Sequence, residues 1–159
     1  MKKTISFVCA LVMIMAIFTG CSGNNSAADG VDLSKILKEV NSSYDITQCS
    51  SVTNKEDLEL YYGISPDDVK QFAAEYVSNN STEPIEIVFV EAVNAEATDR
   101  VKLALENRFN SQSAQSKSYS ADAHLIFEKC SVRTKGNFVD MIVSQHVDGI
   151  KSLYDSYVK

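Results

Sequence analysis

Apolar residues at helical spacing dominate the first patterned part of the chain. Four of them recur at i, i+3, i+4 and i+7 behind Asp32, a residue type that caps helix N-termini, and they predict an amphipathic helix over residues 33–43. Asn54 then precedes an acid-rich segment that ends at Gly63, a residue suited to the left-handed stop of a helix. A second, short helix is therefore predicted between Asn54 and Gly63.

The segment that follows fits two structures. Ser65 at an N-cap position and Pro66 at the first helical position predict a helical turn. Residues 70–78 then match a helical stripe, while alternate residues of the same stretch match one face of a strand. Periodicity favours the helix. Residues 85–92, however, are rich in β-branched and aromatic types and predict a buried strand that needs a partner, which a strand at 70–78 would supply.

The second half of the chain alternates again between helical and strand patterns. Asn94 caps a predicted long helix at about residues 95–112, and the polar stretch at 111–122 predicts an exposed loop. Thr134 to Asn137 contains a glycine suited to a tight hairpin between two strands. The two strands and a final helix are predicted at Leu125–Arg133, Phe138–Ser144 and Val147–Tyr157.

The order strand, strand, helix therefore occurs twice after the N-terminal helices. An antiparallel sheet of about four strands with helices packed on one face is the simplest architecture with this order. Residues 31–159 amount to about 129 residues, which suits one hydrophobic core. The sequence thus predicts a single α+β domain over 31–159.

The N-terminal residues carry the parts of an export signal. Lys2 and Lys3 precede an apolar run from Ile5 to Phe18, and small residues follow. Phe18-Thr19-Gly20-Cys21 resembles the lipobox of bacterial lipoproteins, in which the cysteine thiol receives a diacylglycerol and the chain is cut before it. A transmembrane anchor is the alternative, but the run is shorter than the ~20 apolar residues that span a bilayer. A signal peptide at 1–20 and lipidation of Cys21 are predicted.

Charge and composition define the exported part further. Residues 21–30 are small and polar, and they predict a flexible tether. Loss of residues 1–20 leaves 13 basic and 21 acidic side chains, a net charge of −8. Without a basic stripe, nucleic-acid binding and electrostatic docking on anionic lipid are not expected. The diacylglyceryl anchor on Cys21 would then hold the domain at the outer face of the bacterial plasma membrane.

Two short segments contain candidate binding residues. Tyr61 and Tyr62 could stack on a ligand, and Lys135 beside Asn137 could meet an anion. The same tyrosines equally fit packing on the sheet, and Lys135 equally fits simple solvation at a turn whose glycine supplies an uncommon backbone conformation. Both interpretations stay open on the sequence alone.

Catalytic and metal-binding patterns are sparse. His124 and His146 are the two histidines of the chain, and neither belongs to a known catalytic motif, so no catalytic residue is assigned. Together with Asp122 and Cys130 they have the ligand types of a metal site, but their spacing matches no zinc pattern. No metal and no cofactor are predicted.

Cys49 and Cys130 are the two cysteines downstream of the lipidation site. Export permits oxidation, and a disulfide that closes so long a loop would contribute about 4 kcal/mol to the free energy of unfolding. Cys130 equally fits a small core residue in a predicted inner strand. A bridge between them is one of two alternatives.

Several short motifs occur in an order typical of one family. They are Asp57-Leu58-Glu59 with Tyr61-Tyr62-Gly63-Ile64, Pro66-Asp67-Asp68-Val69 and Lys135-Gly136-Asn137-Phe138-Val139. The chain resembles, over about residues 33–159, the lipoproteins of Clostridia and related Gram-positive bacteria grouped as domain of unknown function 4358. In that family a strand follows the tyrosine-containing motif, which favours a strand at 70–78. The resemblance implies a cellular localisation and a fold, but it implies no catalysed reaction.

These patterns favour a membrane-tethered extracytoplasmic module that binds an envelope protein or a cell-wall component without catalysis. The alternatives are a cell-envelope enzyme with an unrecognised site and a lipoprotein that captures a small solute. A protein-binding module should carry an apolar groove or patch, whereas an enzyme should carry a pocket with convergent titratable groups.

Overall fold

The computed structural model describes residues 30–77 and 83–159. The predicted signal peptide, Cys21 and the tether up to residue 29 lie outside them, and no helix of the described part is long and apolar enough to cross a membrane. The helices are α1 (Leu33–Tyr44), α2 (Lys55–Tyr62), α3 (Ala95–Tyr119), α4 (Ala121–Phe127) and α5 (Val147–Tyr157). The strands are β1 (Ser50–Val52), β2 (Val69–Tyr76), β3 (Glu86–Ala92), β4 (Ser131–Lys135) and β5 (Phe138–Val143).

All five strands form one antiparallel sheet in the order β1-β2-β3-β5-β4, with β3 at its centre. The predicted α+β class and antiparallel sheet are confirmed, and residues 69–76 are a strand because they pair with β3. The sheet has five strands rather than about four. The additional strand, β1, has only three residues, too few to produce an alternating pattern.

Helices cover both faces of the sheet, so the prediction that they pack on one face is wrong. Ile87 and Phe89 of β3 belong to the apolar cluster that contains α1 and α5. Val88 and Val90, the alternate residues, belong to the cluster that contains α2 and α3. The reason lies in β3 and β5, in which every residue is buried. A strand that is apolar on both sides needs cover on both sides.

The end of α3 departs most from the sequence prediction. The helix continues to Tyr119 instead of ending near residue 112, and α4 follows at once. The predicted loop at 111–122 is therefore helical, and the strand predicted from Leu125 begins only at Ser131. Polar residues hold this junction together, since Ser116 Oγ donates to the Ser113 carbonyl at 2.7 Å and the Ala123 amide donates to Ser120 Oγ at 3.1 Å.

A buried ion pair links three elements on the face covered by α1 and α5. Arg133 Nε of β4 donates to Asp140 Oδ2 of β5 at 3.0 Å, and Arg133 Nη1 donates to Asp155 Oδ2 of α5, also at 3.0 Å. Burial raises the pKa of Asp140 to about 6, although Arg133 opposes this rise. Asp140 is therefore the acid of this network that titrates close to neutral pH.

The raised pKa of Asp140 predicts a pH dependence of stability. A carboxyl group titrates at about 3.9 in an unfolded chain, so its contribution to the free energy of unfolding is full below about pH 4 and is lost as the pH rises through about 6. Urea titrations measure this effect as the unfolding free energy of wild type minus that of Asp140→Asn. This difference should decrease as the pH is raised from 4 to 7. Asp155→Asn, which removes the exposed partner of Arg133 and only a minor cause of the raised pKa of Asp140, should keep most of the wild-type slope. Equal slopes in wild type and Asp140→Asn would contradict this account.

Phe89 provides a test of the two-sided core. Its side chain is fully buried and its ring centroid lies 4.6 Å from that of Tyr154. Phe89→Ala should lower the free energy of unfolding by about 3–5 kcal/mol, because it removes buried area and leaves a cavity. Leu125→Ala, at a side chain that is 54% exposed, should change it by less than about 0.5 kcal/mol. Urea denaturation followed by circular dichroism measures both.

Candidate functional site

The two tyrosines predicted as binding residues end α2 and point in different directions. Gly63 adopts φ 70° and its amide donates to the Glu59 carbonyl at 2.9 Å, which stops the helix directly after Tyr62. Successive helical residues are about 100° apart around the axis. Tyr61 is accordingly 43% exposed, whereas Tyr62 is buried. One tyrosine is thus available for contact and the other is part of the core.

Tyr62 lies beneath an ion pair between α3 and β3. The Arg108 guanidinium carbon lies 5.7 Å from the Tyr62 ring centroid, and Arg108 Nε donates to Glu86 Oε1 at 3.0 Å. Burial and the neighbouring Glu86 carboxylate raise the pKa of Tyr62, which keeps its hydroxyl neutral. With the side-chain oxygen of Gln112 turned toward Arg108, the same guanidinium also donates to that oxygen at 2.9 Å. Arg108 is therefore held on several sides.

An open groove of about 430 Å³ runs between α2 and α3 above this ion pair. We call it the α2–α3 groove. Leu103 on α3 is 58% exposed beside it, and Leu60 on α2 is 74% exposed next to Tyr61. Exposed apolar side chains therefore come from both helices. The groove is lined by Tyr61, Tyr62, Leu103, Ala104, Asn107 and Arg108, among others.

A second ion pair fixes the rim of the α2–α3 groove. Arg100 donates to both carboxylate oxygens of Asp68, at 2.9 Å from Nε and 2.6 Å from Nη2. This bidentate bond lowers the pKa of Asp68, although burial opposes the change. Asp68 thus joins the turn before β2 to α3, a partnership that the sequence prediction missed.

On the other side of Arg108 lies a smaller cavity of about 150 Å³. Tyr76, Phe127 and Glu86 line it, and Arg108 lines both this cavity and the α2–α3 groove. Tyr76 also contacts Tyr61, with ring centroids 5.7 Å apart. A sequence signal for Arg108 existed, since a cation on the inner stripe of α3 needs a buried acid opposite it.

The other two predicted binding residues lie far from the tyrosines. Lys135 Nζ donates to the Val158 carbonyl at 2.7 Å, and the Asn137 carbonyl accepts from the Ala92 amide at 2.8 Å. Ala92 ends β3, whereas Glu86 at the groove begins it, and a seven-residue strand is about 20 Å long. The predicted site is therefore divided between two ends of the sheet, and Lys135 contacts the backbone at the end of α5.

Cys49 and Cys130 are free thiols in the structure. Cys49 directly precedes β1 and Cys130 directly precedes β4, which are the two edge strands of the sheet. Four strand spacings amount to about 19 Å, far more than the ~7 Å between Cα atoms that a disulfide tolerates. The disulfide considered from the sequence is therefore not present.

The histidines lie in structural contacts. His124 Nδ1 is 3.2 Å from Ser116 Oγ, and His124 Nε2 is 3.6 Å from Glu128 Oε1. These residue types match a catalytic triad, but Ser116 is completely buried and its hydroxyl is beyond the reach of a substrate. His146 stacks on Tyr44 with ring centroids 5.2 Å apart. Within residues 30–77 and 83–159, no three His, Cys, Asp or Glu side chains converge as metal ligands.

The Arg108–Glu86 pair beneath the groove gives a stability test. Arg108→Met should lower the free energy of unfolding by about 3 kcal/mol, because it leaves the buried Glu86 carboxylate without its cation. Arg108→Met combined with Glu86→Gln should be less destabilising than Arg108→Met alone in urea denaturation. Lys102→Met removes an exposed pair with Glu106 and should cost less than about 1 kcal/mol. A double variant as unstable as the sum of its single variants would contradict this.

Comparison with known proteins identifies one family. A family model described as "Domain of unknown function (DUF4358)" matches residues 42–144, which is narrower than the resemblance over 33–159 and contains α2, the groove and the whole sheet. No curated protein and no solved structure matches the chain. Because the match covers more than half of its residues, the chain belongs to the DUF4358 family.

Proposed function

We propose that this protein is a non-catalytic interaction module, anchored at the outer face of the bacterial plasma membrane through lipid on Cys21, that binds a partner protein of the cell envelope in the α2–α3 groove. The observation that carries the proposal is the pair of exposed apolar side chains, Tyr61 and Leu103, on opposite sides of an open groove. Exposed apolar surface around a groove is typical of interaction sites.

The floor of the groove supports this function. Tyr62, Arg108 and Glu86 are held to one another by a cation–π contact and an ion pair, so the surface is ordered before a partner arrives. A pre-organised surface loses less conformational entropy on binding. Tyrosine and arginine are also enriched among the residues that dominate binding energy at protein interfaces.

The charges around the groove favour binding over catalysis. Arg108 is paired with Glu86, and Arg100 is paired with Asp68 through two hydrogen bonds. An acid–base catalyst or nucleophile needs a group free to react with its substrate. These four groups instead hold elements of the fold together, and apolar side chains are what the groove offers to a partner.

Crosslinking in intact producing cells, followed by mass spectrometry, tests the interaction. Replacing Leu103 by Ser or Tyr61 by Ala should reduce recovery of the specific partner about tenfold, since central apolar anchors commonly contribute that much to affinity. Leu125→Ser is the matched control, because Leu125 is similarly exposed but lies on α4. Equal recovery from all of these variants would exclude the groove as the binding surface.

The anchor is tested separately by metabolic labelling with an alkyne fatty acid. The wild-type protein should incorporate the label, and Cys21→Ala should not, because the thiol is the proposed attachment point. Cys9→Ala is the matched control, since Cys9 lies within the predicted signal peptide and its loss should leave labelling unchanged. Labelling that survives Cys21→Ala would contradict the lipoprotein assignment.

A further inference from the structure

A separate cavity lies between α1 and the edge of the sheet formed by β1 and β2. Its volume is about 340 Å³, and it shares no lining residue with the α2–α3 groove. Leu37 of α1 and Ala73 of β2 line it on the α1 face of the sheet, whereas Val52, Phe72 and Ala74 line it at the sheet edge and pack with the cluster of the opposite face. Ser34, Lys38, Ser51 and Thr53 also line it and are exposed, so they lie at its opening.

One wall of this cavity contains a buried carboxyl group in which one of the two oxygens has no hydrogen-bond donor. Glu75 is only 2% exposed, and Asn41 Nδ2 of α1 donates to its Oε2 at 2.8 Å. The second carboxyl oxygen, Oε1, and the amide oxygen Oδ1 of Asn41 are both buried, and neither accepts a hydrogen bond from any described residue. Two acceptors on neighbouring side chains therefore lack donors.

Buried acceptors without donors are rare because they lose their hydrogen bonds to water on folding. Burial raises the pKa of Glu75, and the hydrogen bond from Asn41 opposes that rise. Burial and Glu75 together raise the pKa of Cys49 to about 12, so the nearby thiol stays neutral. A primary ammonium group supplies three N–H donors, which suffice for both acceptors, and a positive charge that offsets a buried carboxylate.

We propose that this cavity binds the primary ammonium end of an aliphatic ligand, with Glu75 Oε1 and Asn41 Oδ1 accepting its hydrogen bonds. Leu37 and Ala73, which lie on the same face of the sheet as Glu75, pack against the carbon chain. Lys38 and the hydroxyl groups at the opening face the polar group at the other end of the ligand. The ligand class is therefore an aliphatic amine with a polar or anionic far end, such as a diamino acid.

Titration of the full-length chain with n-butylammonium chloride and n-butanol at pH 7 tests this site. Two-dimensional NMR should show the Asn41 side-chain amide and the backbone amides of Ala73 to Glu75 shifting at an amine concentration at least tenfold lower than for the alcohol. Both probes have the same carbon chain, so the difference reports the charged donor. Glu75→Gln, which keeps the size of the side chain, should remove the preference for the amine.

Two variants control for effects on the fold. Glu91→Gln removes a carboxylate that is also 2% exposed but has Lys70 and Gln71 as partners, and it should leave the amine preference intact. Ser34→Phe places a ring at the opening and should weaken the binding of both probes. It keeps the test informative if Glu75→Gln fails to fold, because Ser34 lies at the exposed rim.

Three results would overturn the proposal. The first is an amine that binds no better than butanol, and the second is an amine preference that persists in Glu75→Gln. The third is a Glu75 carboxyl carbon whose NMR shift remains that of the protonated acid from pH 5 to pH 9. In that case the acid O–H donates to Asn41 Oδ1, and one proton satisfies both acceptors without a ligand.

Discussion

The burial of β3 on both of its faces determines where every neighbouring element lies. All seven residues of this central strand are buried, and its alternate side chains enter two different apolar clusters. Burial of apolar surface is the main favourable term in folding, so helices must pack against both faces. α1 and α5 cover one side, and α2 and α3 cover the other. The groove between α2 and α3 exists because two helices share the second face.

Charged pairs then fix the position of these helices, which apolar contact alone leaves free to slide. Glu86 of β3 holds Arg108 of α3, and Asp68 holds Arg100 near the start of the same helix. On the opposite face Arg133 performs the same role, because it joins Asp140 of β5 to Asp155 of α5. Removal of one partner from a buried pair is costly even where the pair itself adds little net stability. Each pair therefore determines how its elements are aligned and contributes less to the free energy of unfolding.

Local chemistry made much of this fold predictable. Asp32, Asn54 and Asn94 each cap a helix because their side-chain oxygen accepts a hydrogen bond from a backbone amide, as their residue types indicated. The strand at 69–76 needed more than its own pattern, because pairing with β3 overrides a helical periodicity. The extension of α3 through a polar stretch was not predictable from composition, because Ser116 is buried by tertiary contacts with α4.

The candidate site could be predicted only in part. Tyr61 was identified from its motif. Lys135, in contrast, lies at the far end of the sheet. The sequence did not indicate this, because separation along the chain does not show which strand ends are neighbours in the folded sheet. Leu103 has no signal in the sequence, because an exposed leucine off the inner stripe is ordinary on a helix surface. Glu75 also has no local signal in the sequence. Its contact with Asn41 arises only because α1 packs against β2, and no local sequence pattern predicts that packing.

The form of the two edge strands affects whether neighbouring chains can associate through the sheet. An exposed sheet edge offers unpaired backbone groups to any other extended chain and so invites uncontrolled association. Here β1 contributes only three residues, and beyond it Lys55 Nζ donates to the Val69 carbonyl. At the opposite edge, β4 has five residues, and its Arg133 and Lys135 are bonded to Asp155 of α5 and to the Val158 carbonyl. Short edge strands on both sides discourage strand addition, so neighbouring copies of the protein can remain separate molecules.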